Sequence, residues 1–416
     1  MSERPRVLPE TVEVAAKIKN PKQEMPERDP VGRQESLAGA RVIFVLGPLE
    51  LGGSERQALL FARYLKNEQQ ADVRVWGTMG APGSLATLCD DYHIPWRVVP
   101  FQWRESRARN LTNLAGFTRQ LRRERPDVIL PYFAPTNLLC NLIWRWTGAQ
   151  LCVWNQRDLG LDRVRSRYEP RAVRQTPWFI ANSEHVAQYL TTELGAEPGR
   201  VRIVRNGIEL PEPELDRKAW RDRLNVDADC FVAGMVANLN ENKDHATLLK
   251  AWRIVVDRMT EKGRSPVLIL AGGLGATHNA LKALAFDLQL GDGVRFTGQV
   301  SDISGLLNAV DLGVFSSRSE GSPNGVLECM AAGLAVVATD IPGVREAVPP
   351  ESHSLLTPIA DAHAMAGGIL KLIAEPEVRR ELGEANRRRA REEFNPRRMC
   401  ENTLAILQSG WRGVAK

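Results

Sequence analysis

The stretch Arg41-Val42-Ile43-Phe44-Val45-Leu46-Gly47-Pro48-Leu49-Glu50-Leu51-Gly52-Gly53-Ser54-Glu55 sets the fold class. Val42 to Leu46 is a short apolar run without alternation, the pattern of a parallel strand covered on both faces. A loop follows through Gly52 and Gly53. From Glu55 to Lys66 the apolar positions Ala58, Leu59, Ala62 and Leu65 recur at helical spacing. Strand, glycine loop and helix in that order open a Rossmann-like unit.

The alternation continues on the C-terminal side. Strands are predicted over 72–76, 96–99, 126–130, 151–154, 178–181 and 201–204, with helices over 82–92, 111–125, 137–146 and 184–194 between them. A second series follows Asn206-Gly207, with strands over 231–236, 267–271, 294–296, 312–315 and 335–338 and helices over 244–259 and 278–290. Pro211-Glu-Pro-Glu-Leu215 reads as the linker. The expected architecture is α/β, two Rossmann-like domains facing each other across a cleft, at 40–207 and 208–390. Residues 391–416 are expected to form a C-terminal helix packing back on the N-terminal domain. Residues 1–39 carry Pro5, Pro9, Pro21, Pro26 and Pro30 among mixed charges and read as a disordered or loosely attached arm.

Composition bounds the function classes. A chain of 416 residues is more than one core usually serves. Its 43% apolar and 25% charged residues are ordinary globular values. A net charge of +5 does not by itself mean nucleic acid, and 6% unclustered aromatics give no base-stacking platform. No stretch nears the roughly 18 apolar residues of a membrane span, and the N-terminus lacks a signal h-region. The six cysteines are scattered, without a Cys-x-x-Cys pair, as reduced core thiols in a cytoplasmic protein would be. The six histidines have no metal-ligand spacing, so no metal is expected.

The chemistry concentrates in Glu320-Gly321-Ser322-Pro323-Asn324-Gly325-Val326-Leu327-Glu328. The segment follows the apolar run Leu312–Phe315 and precedes a helical run ending at Gly333. Glu320 should therefore sit at a strand's carboxyl end, and Glu328 in the first turns of the next helix. Pro323 and Gly325 keep the loop tight, so its amides can approach a ligand at an electropositive helix start. Two carboxylates flanking such amides suit a polyhydroxylated ligand. The plainer alternative makes Glu320 a helix cap and Glu328 the partner of a surface arginine.

This segment resembles the E-x7-E signature of the large retaining glycosyltransferase family four (glycosyl transferases group 1), whose fold is GT-B. The flanking Ala309–Ser317 and Cys329–Glu346 match as well, and the resemblance runs from about Arg41 to the C-terminus. It implies an N-terminal acceptor-side domain and a C-terminal nucleotide-sugar domain. It implies that Glu328 holds the ribose, that Glu320 meets the transferred sugar, and that amides of Ser322, Pro323, Asn324, Gly325 and Val326 hold sugar and phosphate. Lys243 matches the family lysine that neutralises the departing diphosphate. Asn238 stands where the family has an arginine; Arg318 is the residue that would compensate. Gly52 and Gly53 resemble the N-terminal glycine loop. Gly272 and Gly273 read equally as nucleotide contacts or as a tight strand-to-helix turn. Val300 ends the segment whose backbone receives the base. Arg157 replaces a familiar histidine and reads equally as a site residue or a surface arginine. Arg205-Asn206-Gly207 resembles a structural hinge-entry turn.

The resemblance implies a hexosyltransferase-type enzyme with no cofactor beyond its nucleotide-sugar donor, acting on a glycan, lipid-linked or small-molecule acceptor in polysaccharide or glycolipid synthesis. Arg122-Arg123, Arg163 to Arg174 and Arg387–Arg391 are either solvated helix faces or a basic surface for peripheral contact with the inner face of a membrane. The rival readings are a nucleotide-sugar epimerase of similar fold and a catalytically silent sugar-nucleotide-binding protein.

Overall fold

The computed structural model describes residues 36–161 and 163–411. The chain divides into two compact units, Met1–Arg205 with Arg397–Lys416, and Asn206–Pro396.

The first unit is a seven-stranded parallel sheet: β1 (Arg41–Leu49), β2 (Asp72–Pro82), β3 (Trp96–Val98), β4 (Val128–Pro131), β5 (Leu151–Gln156), β6 (Trp178–Ala181) and β7 (Val201–Ile203), in the order β3-β2-β1-β4-β5-β6-β7. Side chains alternate along β1, and both faces are covered. Val42, Phe44 and Leu46 pack with Ala58, Phe61, Ala62 and Leu65 of the helix Gly53–Asn67. Ile43 and Val45 pack on the other face with Phe117 and Leu121 of the helix Arg107–Glu124 and Leu139 and Ile143 of the helix Ala134–Thr147. That two-sided burial is why the strand reads as an unbroken apolar run.

The second unit is a six-stranded parallel sheet: β8 (Val232–Val236), β9 (Val267–Ala271), β10 (Val294–Gly298), β11 (Leu312–Phe315), β12 (Val336–Thr339) and β13 (Leu356–Thr357), in the order β10-β9-β8-β11-β12-β13. Ala233 and Met235 face one core and Val232 the other. Arg221, in the short helix Arg217–Arg223, is buried. It pairs with Asp311 at 2.8 Å and donates to the carbonyls of Ala309, Asp227, Ala228 and Cys230. Asp311 Oδ2 also accepts the Val232 amide at 2.8 Å, which ties the start of β8 to that of β11.

Several expectations shift. Leu37 is fully buried in the core under β1, so order starts before residue 40; residues 1–35 of the expected arm lie outside the described residues. Residues 391–393 end the helix Pro376–Glu393, and the last helix is Pro396–Gly410, because Pro396 cannot continue a helix and opens a new one. Met399, Cys400, Leu404 and Leu407 of that helix belong to the first unit's core. The helices Glu169–Gln175 and Arg217–Arg223 and the two-residue β13 were not predicted; each is too short to show a period. Arg387 is exposed and Arg389 half-buried, and both also reach carbonyls: Arg387 donates to the Ala332 carbonyl at 2.6 Å and Arg389 to those of Ala347 and Glu346. They satisfy carbonyls at the ends of two neighbouring helices.

Candidate active site

In each sheet the chain order reverses direction at one place, between β1 and β4 in the first and between β8 and β11 in the second. Ligands of such sheets bind outside the carboxyl ends of the strands at that switch point. In the second unit the loops leaving β8 and β11 lie there, and they carry Lys243 and Glu320.

These two side chains meet. Lys243 Nζ lies 2.5 Å from Glu320 Oε1, with the side chains only 18% and 12% exposed. The same carboxylate oxygen accepts the Ser317 hydroxyl at 2.7 Å. The ammonium stands 5.0 Å from the Phe315 ring centroid, a cation–π contact at the end of β11. The loops are strapped together around the pair. Asn242 Nδ2 donates to the Ser319 carbonyl at 2.6 Å, and the Asn242 carbonyl accepts the Arg318 amide at 2.9 Å. Lys243 is thus no solvated loop lysine. Glu320 is no helix cap either: Pro323 occupies the N-cap of the helix Asn324–Ala332, and no side chain caps it.

The loop between Glu320 and that helix is held close by missing side chains. A Cβ on Gly325 would come within 2.1 Å of the Val236 carbonyl oxygen, so only glycine lets the helix start reach the end of β8. A Cβ on Gly343 would come within 2.4 Å of the Glu320 carbonyl oxygen. Glu328 is buried one turn into the helix. Asn206 Nδ2 donates to Asn324 Oδ1 at 2.7 Å, so the predicted hinge-entry turn reaches the helix start. Ser322 and Val300 are half-buried, and Pro323 and Val326 are buried.

Three of the expected donor residues have neighbours within the unit. Asn238 Oδ1 accepts the Gly273 amide at 2.8 Å, which ties the loop after β9 to the loop after β8; the side chain is exposed, and this bond uses its oxygen rather than its N–H donors. A Cβ on Gly272 would come within 2.1 Å of the Ala237 carbonyl, so this glycine serves the packing of the β9 loop on the β8 loop. Arg318 is 65% exposed and stands 3.8 Å from Asp244, not against Glu320.

Sequence reasoning missed His245. It follows Asp244 at the first position of the helix His245–Thr260 and is buried, and neither ring nitrogen has a hydrogen-bond partner among the described residues. Burial and the neighbouring Lys243 charge push its pKa down to about 4. A polar residue opening a helix pattern gives no sign of such burial.

In the first unit, Gly52 is the N-cap of the helix Gly53–Asn67, and a Cβ on it would strike the Glu55 carboxylate at 2.5 Å. Burial pushes the Glu55 carboxyl up to about 7. Arg157 is not a surface arginine. It is buried beyond the end of β5, with its guanidinium 5.0 Å from the Tyr132 ring centroid and its carbonyl accepting from Asn182. Among the described residues no three His, Cys, Asp or Glu side chains group as a metal site requires, and no helix is long and apolar enough to cross a membrane.

Comparison with known proteins agrees with this geometry. The family model for Glycosyltransferase Family 4 matches residues 51–212, and that for Glycosyl transferases group 1 matches residues 216–389. The D-inositol 3-phosphate glycosyltransferase of Saccharomonospora viridis is 29% identical over 270 residues, 62% of this chain and 62% of that protein. The putative glycosyltransferase EpsD of Bacillus subtilis is 34% identical over 180 residues, 43% of this chain and 46% of its own. The chain thus spans less than two thirds of either relative. The crystal structure of Anabaena HepE in complex with UDP and glucose superposes with a TM-score of 0.76 at 21% identity, covering 88% of this chain and 99% of that one, which shows a shared fold. With two parallel Rossmann-like sheets and both halves matched in order, the chain belongs to glycosyltransferase family four, with the GT-B fold.

Proposed function

We propose that the protein transfers a glycosyl group from a nucleoside-diphosphate sugar to an acceptor hydroxyl with retention of configuration. The observation that carries this is the Lys243–Glu320 pair at the switch point of the second sheet, beside the start of the helix that bears Glu328. A diphosphate placed there meets an ammonium ion and the amide end of a helix, and both stabilise charge on the leaving group. Glu328 accepts hydrogen bonds from the ribose. Glu320, once Lys243 turns toward phosphate, accepts from sugar hydroxyls and opposes positive charge at the reacting carbon. The acceptor hydroxyl attacks from the face the diphosphate leaves, and its proton goes to a diphosphate oxygen. The amides of Ser322 to Val326 complete the donor site; Gly52, Gly53 and Arg157 belong to the acceptor-side unit. No cofactor enters this scheme. A glycan or lipid-linked acceptor, met in the cytoplasm or at the inner membrane face, fits the basic segments around Arg122 and Arg165–Arg174.

The test is a donor-breakdown assay with UDP-sugars first, because the HepE crystal holds UDP and glucose. Nucleotide release that depends on an added acceptor supports transfer. An isomerised donor without acceptor replaces the proposal with epimerisation, and no turnover with any nucleotide sugar replaces it with a silent binding protein.

A further inference from the structure

The first unit contains a cavity of about 730 Å³ at the carboxyl ends of β2 and β3, in the size range of small-molecule sites. Its wall is aromatic and aliphatic. Phe101 packs edge-on against Trp103 (5.1 Å between centroids) and against Phe117 (5.7 Å), and Met79, Leu139 and Val164 add to the apolar part of the lining.

The cavity is preformed. Asn110 clamps the loop after β3 from both sides, accepting the Arg104 amide and donating to the Arg104 carbonyl, each at 2.7 Å. Asn113 Nδ2 donates to the Gln102 carbonyl at 3.1 Å.

Its polar groups divide sharply. The hydroxyls in the wall are spent on backbone carbonyls: Thr78 on Leu46, Thr112 on Ala108, Thr136 on Phe133. The Trp103 indole donates to the Pro135 carbonyl. The side chains of Gln102, Arg104 and Gln120 are exposed and make no hydrogen bond among the described residues. A ligand inside meets aromatic and aliphatic side chains beside hydroxyls already engaged, and Gln102, Arg104 and Gln120 supply free donors.

One residue keeps the space open. Thr112, Asn113, Gly116, Phe117 and Gln120 form the lining stripe of the helix Arg107–Glu124, and Gly116 lies at its centre. Glycine is a poor mid-helix residue, and a Cβ on Gly116 would meet no heavy atom within 4 Å. Packing therefore does not require glycine there, and its missing side chain leaves the space beside it open.

We propose that this cavity binds an amphiphile, with an alkyl or aryl segment inside and an oxyanion or hydroxyl-bearing end held by Arg104, Gln102 and Gln120 at the rim. Resting on the transferase reading above, the occupant is the apolar part of the acceptor, which makes the acceptor a glycolipid or an aglycone-bearing glycoside rather than a bare glycan.

The probe is 11-bromoundecanoate, whose bromine quenches tryptophan at short range. The wild-type protein should show saturable quenching that Trp103→Phe largely removes. Gly116→Phe, which fills the cavity, should abolish that quenching, while Gly116→Ala retains it. Gln120→Phe blocks the cavity from an exposed position and decides the matter if Gly116→Phe does not fold. Equal quenching in wild type and in the folded blocking variant overturns the proposal, as does absence of saturable quenching in the wild type. Perturbation of tryptophan emission by maltotriose, with none by the bromoacid, overturns it in favour of a glycan. UDP binding to the second unit, followed by thermal shift, is untouched by these variants. Its loss in the wild type would sink the transferase reading without touching the cavity result.

Discussion

Removing both members of the Lys243–Glu320 pair should cost less than the sum of the two single removals. The pair has a 2.5 Å N–O distance, and its side chains are 18% and 12% exposed, so it lies between a surface ion pair and a buried one. Exposed pairs contribute about 0–1 kcal/mol, whereas breaking a buried pair costs about 3–5 kcal/mol because one charge is left without its partner. For this intermediate burial, Lys243→Met should destabilise by about 2 kcal/mol. Glu320→Gln keeps the Ser317 hydroxyl bond and should cost less. The double variant should be less destabilised than the sum of the singles by about 1–2 kcal/mol, well outside the ~0.3–0.5 kcal/mol within which independent sites add. Urea unfolding of the four proteins closes the cycle. Additivity within that margin would refute the pair as an energetic unit, and with it the idea that donor binding must exchange one ionic partner for another. In turnover, each single variant should lose on the order of 10²-fold in kcat, the scale of removing one preorganised charge stabiliser.

Three further outcomes follow from burial. Glu55 is pushed up to about 7 from 4.5, so between those pH values the native state holds more protons than the unfolded one. Stability should fall as pH rises through this window. Glu55→Gln should be more stable than wild type by about 1–2 kcal/mol at pH 8, discounting partial exposure, and match it near pH 4.5; a gap independent of pH would contradict this. His245 has the opposite sign: its native pKa of about 4 lies below the unfolded value, so stability falls as pH drops from about 6.5 to 4, by up to ~3 kcal/mol. His245→Leu should flatten that slope in thermal scans, and an unchanged slope would disprove the assignment. Gly325→Ala should cost about 1–3 kcal/mol, because its Cβ meets the Val236 carbonyl at 2.1 Å, while Gly367→Ala, with nothing within 4 Å in the helix Ala362–Ala374, should gain about 0.4–1 kcal/mol in denaturant melts.

The strands were legible because both faces of a parallel sheet are covered, so β1, β9 and β11 appear as short apolar runs whose chemistry is all in adjacent residues. The segment from Glu320 to Glu328 was legible for the same reason: its carboxylates, proline and glycine sit within one loop and one helix turn. Tertiary pairings were not. Lys243 and Glu320 are 77 residues apart, and Asn206 and Asn324 are 118 apart; nothing in either local pattern points to the other. Gly272, left open between nucleotide contact and tight turn, is the instructive case. A glycine beside a strand end signals close approach of backbone, but the sequence does not say whether ligand or protein approaches, and here it is the Ala237 carbonyl. Asn238 is similar, since an exposed amide in a loop pattern gave no hint of the Gly273 amide. Arg157 was left open between site and surface, and Leu37 was misjudged, because burial depends on what packs over a residue: Tyr132 in one case, the core under β1 in the other.

The central claim is that the second unit binds a nucleoside diphosphate through Glu328 and the helix start beside Lys243. Its most direct test is thermal stabilisation of the wild type and Glu328→Ala by UDP, GDP, ADP, TDP and CDP. One nucleotide at a hundred times its dissociation constant should stabilise the wild type by about 2.7 kcal/mol, and that stabilisation should be lost in the variant. Folded wild type that none of the five stabilises, or a shift that survives in Glu328→Ala, would contradict the account.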